Sequence, residues 1–133
     1  MSTLFPGSPD THYTSPNVGM FWRNSHRDPV EFSQVTDGLS NTHMLGEDLP
    51  RYNDHTMWSY SNGDWSGCSV PLNFKPEPPT PRIWRTGKAF RSEHPVGANF
   101  CRADSSVAFV SDNIDHTLYR ALSTKAGGEV INQ

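Results

Sequence analysis

Short apolar runs alternate with turn residues along this chain, and the clearest pair lies at the start of the C-terminal quarter. Segments 98–103 and 106–110 have the two-residue periodicity of β-strands, and Asp104 and Ser105 between them fit a tight turn. The pattern predicts a β-hairpin. With a two-residue turn, Phe100 pairs with Phe109 and Arg102 with Val107 on one face. The other face then carries Asn99, Cys101 and Ala103 against Ala108 and Val110.

The segment after this hairpin has the spacing of a helix, over about residues 113–125. One apolar stripe is formed by Ile114, Leu118, Ala121 and Leu122. Ser111 or Asp112 can cap its start, and Gly127 and Gly128 end it.

Elsewhere the apolar runs are short and favour strands at 20–22, 30–35, 42–45 and 57–60, with a proline-rich connector at 74–82. The predicted fold class is α+β, mainly β: a small antiparallel sheet with one short C-terminal helix. Residues 1–19, rich in Pro, Gly, Ser and Thr, are predicted to be extended or partly ordered. Residues 20–133 are predicted to form a single β-rich domain.

Composition narrows the class further. A chain of 133 residues with 34% hydrophobic residues, 10 Gly and 11 Pro indicates one loop-rich domain with a modest core. The net charge of −3 argues against a nucleic acid or an anionic membrane as partner. No window approaches the roughly 18–20 apolar residues of a membrane span, so we expect no membrane insertion by this chain.

The segment RSEHPVGANFCRADSSVAFVSDNIDHTLYRALSTKAGGEVI, residues 91–131, resembles a known signature. The prepilin-type processing-associated H-X9-DG proteins, a bacterial prepilin-like family and a domain of unknown function, end in roughly RSRHPGGANFxxADGSVxFxSxxIDxxxYRALxTxxGGEV. His94 and Asp104 hold the H and D positions, and Gly97 and Asn99 also match. Residues 36–47, TDGLSNTHMLGE, resemble the family's DGxSNTxxxGE element, and VPLNF at 70–74 is a weaker third block.

Two departures from the family pattern matter. Ser105 stands where the pattern has glycine, which costs about 1 kcal/mol if that position needs a positive φ. The chain begins MSTLFPGSPD, whereas family members begin with a prepilin leader and a long apolar helix. The resemblance therefore implies a pilin-like head with the N-terminal pilin helix absent.

The resemblance also implies a function. We expect a non-enzymatic structural or assembly protein of a type II secretion or type IV pilus-like system, located outside the cytoplasm in the periplasm or at the cell surface. It would contact other prepilin-like subunits or self-associate. The alternative class is a secreted carbohydrate- or calcium-dependent binding module or adhesin.

A histidine with a nearby carboxylate can form a catalytic or metal-binding pair. His94, however, precedes the first hairpin strand and Asp104 lies at its far end, so six residues of strand separate them by roughly 20 Å. We therefore expect no catalytic residues here. The motif residues interpreted as structural are His94, Gly97, Asn99, Asp104 and Ser105.

The oxygen-bearing residues Asp37, Ser40 and Asn41, joined by Glu47, could bind Ca²⁺, or Asp37 could simply form a self-hydrogen-bonded turn. No other cofactor is expected. The aromatic residues Trp58, Tyr60, Trp65 and Trp84 could stack on a sugar or fill the core. Cys68 and Cys101 could form one disulfide or remain two free thiols.

Overall fold

Three strands form one antiparallel sheet in the order β1–β2–β3, in a computed structural model that describes residues 18–21, 28–54, 66–83 and 87–128. Strand β1 is His43–Gly46, β2 is Gly97–Arg102 and β3 is Val107–Ser111. The α-helix α1, His116–Ala121, follows β3, and two short 3-10 helices precede β1. The predicted class, α+β and mainly β, is confirmed.

The predicted hairpin is present, but its register is wrong by one residue. Phe100 pairs with Ala108 rather than Phe109, and Val107 pairs with Cys101 rather than Arg102. Because a shift of one residue moves every side chain to the other face, Phe109 lies on the exposed side of the sheet and not beside Phe100.

The cause of the register error is the length of the loop. The Ser105 N–H donates to the Arg102 carbonyl at 2.9 Å, and Ser105 adopts φ 70. This is the three-residue hairpin loop, a tight turn followed by a left-handed residue. The favoured two-residue turns would need a positive φ at Asp104 as well, which Asp104 does not adopt.

The main core lies on one face of the sheet. Ala98, Phe100 and Val110 pack there with Tyr119 of α1. The ring centroids of Phe100 and Tyr119 lie 6.0 Å apart in an edge-to-face arrangement, and Cys68 and Leu72 complete the cluster. A second, smaller cluster consists of Met20, Val35 and Ala103. The sheet is therefore covered on one side by α1 and the loop before β2.

Helix α1 is shorter than predicted and begins later. Its N-cap is Asp115, whose carboxylate accepts the Leu118 N–H at 3.0 Å, and not Ser111 or Asp112. Ser111 still belongs to β3, which excludes it from a helix start. The helix ends early because two hydroxyl groups that follow it donate to its last carbonyls. The Ser123 hydroxyl donates to the Arg120 carbonyl, and the Thr124 hydroxyl donates to the Ala121 carbonyl.

Of the other predicted strands that lie within the described residues, only one is a strand. Segment 42–45 is β1 to within one residue. Segment 30–35 is wrong, because Phe32–Gln34 forms a 3-10 turn in which the Gln34 side chain accepts the Glu31 N–H at 3.0 Å. Residues 20 and 21 lie in no strand, whereas residues 22 and 57–60 lie outside the described residues.

The domain boundary at residue 19 stays a prediction, since residues 1–17 are also outside the described part of the chain. No helix within the described ranges is long and apolar enough to cross a membrane.

Candidate functional site

Glu47, which directly follows β1, joins two of the matching sequence blocks. Its carboxylate accepts the Asn99 N–H at 2.7 Å and pairs with His94 Nε2 at 3.2 Å. Burial alone would raise the pKa of Glu47, but hydrogen bonds from Asn99 and Ser92 and the charge of His94 outweigh it, so the pKa is lowered. The glutamate of one block therefore binds the histidine and the asparagine of the other.

His94 and Asp104 lie at opposite ends of β2, as the spacing predicts. The His94 side chain is about half exposed, and the backbone N–H of His94 donates to Ser92 Oγ at 3.1 Å. Asp104 Oδ1 accepts the Ser106 N–H at 2.9 Å inside the hairpin loop. Hydrogen bonds from Ser106, foremost among the causes, lower the pKa of Asp104 to about 2. Asp104 is thus an ionised turn residue.

Only glycine fits at position 97, because the neighbouring strand β3 lies too close for a side chain. A Cβ at this position would lie 2.2 Å from the Val110 carbonyl oxygen, far inside van der Waals contact. The Gly97 carbonyl also accepts a hydrogen bond from Asn73 Nδ2 at 3.3 Å, and Asn73 Oδ1 accepts the Ser92 N–H at 2.8 Å. Asn73 belongs to the weak VPLNF block, so this block too contacts the start of β2.

Beneath this region lies an ion pair that the sequence did not reveal. Arg91 is fully buried, and its Nη1 lies 3.2 Å from Asp48 Oδ1. Its Nε donates to the Phe74 carbonyl at 2.7 Å, and its guanidinium carbon lies 5.4 Å from the centre of the Tyr52 ring. Burial raises the pKa of Asp48 and lowers that of Arg91. The only sequence signal was that Arg91 opens one matching block and Asp48 directly follows another, which does not identify them as partners 43 positions apart.

An open cleft of about 390 Å³ lies above this ion pair, and it is lined by Glu47, Asp48, Leu49, Arg91, Ser92, Glu93 and His94. The Glu47 and His94 side chains give it a polar rim, but each already bonds to the other or to the backbone. Among the described residues, no group of three or more His, Cys, Asp or Glu side chains could hold a metal ion. The charged pairs that line the cleft, Glu47 with His94 and Asp48 with Arg91, are therefore interpreted as structural.

The residues predicted for calcium bind different partners. Asp37 Oδ2 accepts the Gly127 N–H at 2.6 Å, and Oδ1 accepts the Gly128 N–H at 2.9 Å. Although burial opposes it, these bonds and one from Thr124 lower the pKa of Asp37. Asn41 Nδ2 donates to the Asp37 carbonyl at 3.2 Å, Ser40 bonds to the Asp104 carboxylate, and Glu47 binds Asn99 and His94 as described above. Asp37 thus ties down the segment after α1, and a calcium role stays a prediction.

The remaining predicted sites divide between placed and unplaced residues. Cys68 and Cys101 are both free thiols, and burial raises the pKa of Cys68 to about 12. The aromatic residues proposed for sugar stacking, Trp58, Tyr60, Trp65 and Trp84, lie outside the described residues.

The outer face of the sheet is the feature that sequence reasoning missed. Leu45, Cys101 and Val107 form one cross-strand row, and Phe109 lies beside it. The exposed fractions of Leu45, Val107 and Phe109 are 53%, 70% and 52%. A shallow groove of about 240 Å³ runs along this row. The error in the hairpin register hid this surface, because it assigned Phe109 to the same face as Phe100. We call the set Leu45, Cys101, Val107 and Phe109 the outer sheet face.

Residues 1–117 match a protein family described as a protein of unknown function (DUF1559). The match covers most of the chain, which therefore belongs to this family. No curated protein and no solved structure matches the chain.

Proposed function

We propose that this chain is a non-enzymatic assembly protein, the head domain of a prepilin-like protein, which acts by contacts with other subunits outside the cytoplasm. The resemblance of residues 91–131 to the H-X9-DG signature suggests the class. The outer sheet face supports a role in protein contacts, because catalysis would not require such an exposed apolar surface.

Clustered apolar side chains on a surface mark interaction sites more often than single ones do. Leu45, Val107 and Phe109 come from two strands that flank β2, and the half-buried Cys101 lies between Leu45 and Val107 on β2 itself. They form an exposed apolar surface on one face of the sheet, which suits contact with another polypeptide. The partner we propose is another subunit of the same class, and in the simplest case a second copy of this chain.

The motif residues also support a structural and not a catalytic role. Glu47 holds the start of β2, Asp37 holds the segment after α1, and Asp104 closes the hairpin loop. Each carboxylate accepts one or more backbone N–H groups, so these side chains hold the backbone in place. This pattern favours a scaffold that presents a surface over a site that transforms a substrate.

The proposal predicts self-association through the outer sheet face. Sedimentation velocity over a concentration series should show the chain associating, and Phe109→Lys should weaken that association about tenfold or more, because it places a charge where an apolar anchor is buried. Phe32→Lys is the matched control, since Phe32 is 66% exposed and belongs to a 3-10 helix and not to the sheet. It should leave association unchanged.

A strictly monomeric chain at the highest concentration reached would contradict the proposal. So would an equal effect of the two lysine substitutions, because that would indicate a general change in solubility and not a contact at this face.

A further inference from the structure

Strand β3 lies at an edge of the sheet, and the hydrogen bonds of the hairpin show which of its backbone groups point outward. The Arg102 N–H donates to the Ser106 carbonyl at 2.8 Å, so these two residues form a hydrogen-bonded pair. Such pairs alternate with non-bonded pairs along an antiparallel ladder. Val107 and Phe109, in the unbroken register that follows, therefore direct their N–H and C=O groups away from β2.

These outward groups are open. The N–H and C=O of Val107 and of Phe109 form no hydrogen bond in the part of the chain that the structure describes. Their side chains are exposed and belong to the outer sheet face. A row of unpaired backbone groups beside apolar side chains is a template for an additional strand.

The opposite edge, at β1, is protected. Its register with β2 shifts between His43 and Leu45, and such irregularities discourage edge pairing. The His43 N–H already donates to the Leu122 carbonyl at 2.7 Å, and the Glu47 carbonyl just beyond the strand accepts the Arg91 N–H at 2.8 Å. Strand β3 has neither protection, and its sequence VAFVS contains no proline and no charge.

The charges at the two ends of β3 indicate what kind of strand fits. Asp104 lies in the loop before β3 and Asp112 directly follows it, and both residues are exposed. A second copy of β3 laid antiparallel across the edge about Ala108 would bring Asp104 of one copy towards Asp112 of the other at both ends. Like charges opposite one another are destabilising. A strand with a basic residue at each end would instead meet an opposite charge at each end.

We infer that the free edge of β3 binds a strand from a different polypeptide, an extended segment with apolar side chains at alternate positions and a Lys or Arg at each end. The inference rests on the proposed assembly function, because it names the form in which one class of partner would join the sheet. Backbone hydrogen bonds to Val107 and Phe109 would give the contact its register, and the carboxylates would select basic flanks.

The test uses a capped peptide, KTVTVTK, titrated into the isotope-labelled chain and followed by NMR. The amide signals of Val107 and Phe109 should shift most. The acidic peptide ETVTVTE should bind about tenfold more weakly at low salt, since two attractive charge pairs become repulsive. A KTVTVTK peptide with N-methyl groups on alternate amides should not bind. Equal binding of the basic and acidic peptides, or of the methylated one, would overturn the inference.

A variant of the chain tests the same edge. Val107→Pro removes one outward N–H and leaves the ladder to β2 intact, because proline is tolerated where the N–H faces solvent. It should abolish peptide binding, whereas Val107→Thr, which keeps the N–H, should retain it. If Val107→Pro does not fold, the N-methylated peptide still decides the matter.

Failure of this inference is distinguishable from failure of the proposed function. If no peptide binds while Phe109→Lys still disrupts self-association, the edge inference fails and the proposed function stands. If peptides bind but the chain never associates, the edge inference stands and the self-association part of the proposed function fails.

Discussion

Ser105 is a strained residue at a position where the H-X9-DG signature that this segment resembles has glycine. Its φ of 70 lies in the left-handed region, which costs a non-glycine residue roughly 1–2 kcal/mol. Glycine would remove that strain but lose about 0.5–1 kcal/mol more conformational entropy on folding. Ser105→Gly should therefore raise the free energy of unfolding by about 0.5–1 kcal/mol, measured by urea denaturation.

Ser106→Gly is the control for this substitution. Ser106 lies outside the left-handed region and its N–H donates to Asp104, so glycine there relieves no strain and should lower the free energy of unfolding. Stabilisation by both substitutions, or by neither, would show that the left-handed conformation of Ser105 is not the source of the effect.

Single residues were predictable where local backbone geometry decided them. Ser105 stands where the resembled pattern has glycine, which raised the condition of a positive φ there, and the structure shows that φ. Val96, at φ 59, also stands at a pattern glycine, but no prediction was made for it. Glu47 was not predictable in the same way. Its role depends on His94 and Asn99, which lie about fifty positions along the chain.

At the scale of single elements, the cap of α1 gives a direct test of the structure against the sequence pattern. Asp115 accepts the Leu118 N–H, whereas the pattern suggested Ser111 or Asp112. Replacing an N-cap aspartate by alanine costs about 1 kcal/mol. Asp115→Ala should therefore lower the free energy of unfolding by about 1 kcal/mol, while Asp112→Ala should change it by less than about 0.5 kcal/mol.

Equilibrium unfolding in urea measures both effects, and amide exchange at Leu118 reports on the helix itself. A larger loss for Asp112→Ala than for Asp115→Ala would contradict the observed helix start and restore the longer predicted helix.

Elements were predicted well in kind and less well in extent. The hairpin, β1 and the C-terminal helix all exist, because alternating and helical apolar spacing reflect which face each element buries. The hairpin register failed by one residue, since Asp104 and Ser105 suggested a two-residue turn and the loop has three. Apolar alternation at 30–35 also failed, because the Gln34 side chain bonds to the Glu31 backbone and favours a tight turn.

At the scale of the whole molecule, long-range polar contacts hold the elements together, and none was predictable from the sequence alone. The buried Arg91–Asp48 pair joins the beginning and the end of the long connection between β1 and β2. Asp37 bonds to Gly127 and Gly128, about ninety positions away. The sequence pattern indicates that such residues are special, but only the fold shows which of them meet.

The buried His43 should make the stability of the whole molecule depend on pH. Burial, helped by the charge of Arg102, lowers the pKa of His43 to about 4 from an ordinary value of 6.5. Among the described residues its Nδ1 has no hydrogen-bond partner, and its ring stacks on Phe100 with centroids 4.5 Å apart. The folded state therefore favours the neutral imidazole, while the unfolded chain binds a proton below about pH 6.5.

Stability should consequently fall as the pH drops from about 6.5 to 4, by about 3 kcal/mol for a shift of this size. The lowered pKa values of Asp37, Glu47 and Asp104 remove stability only at lower pH, as these carboxylates become protonated.

His43→Phe keeps an aromatic ring against Phe100 and should flatten the decline above about pH 4.5. Urea denaturation at a series of pH values, compared between the two proteins, isolates the histidine because every carboxylate is common to both. His94→Gln, which alters an exposed imidazole, should retain the decline, and an equally steep profile for His43→Phe would show that a group other than His43 controls it.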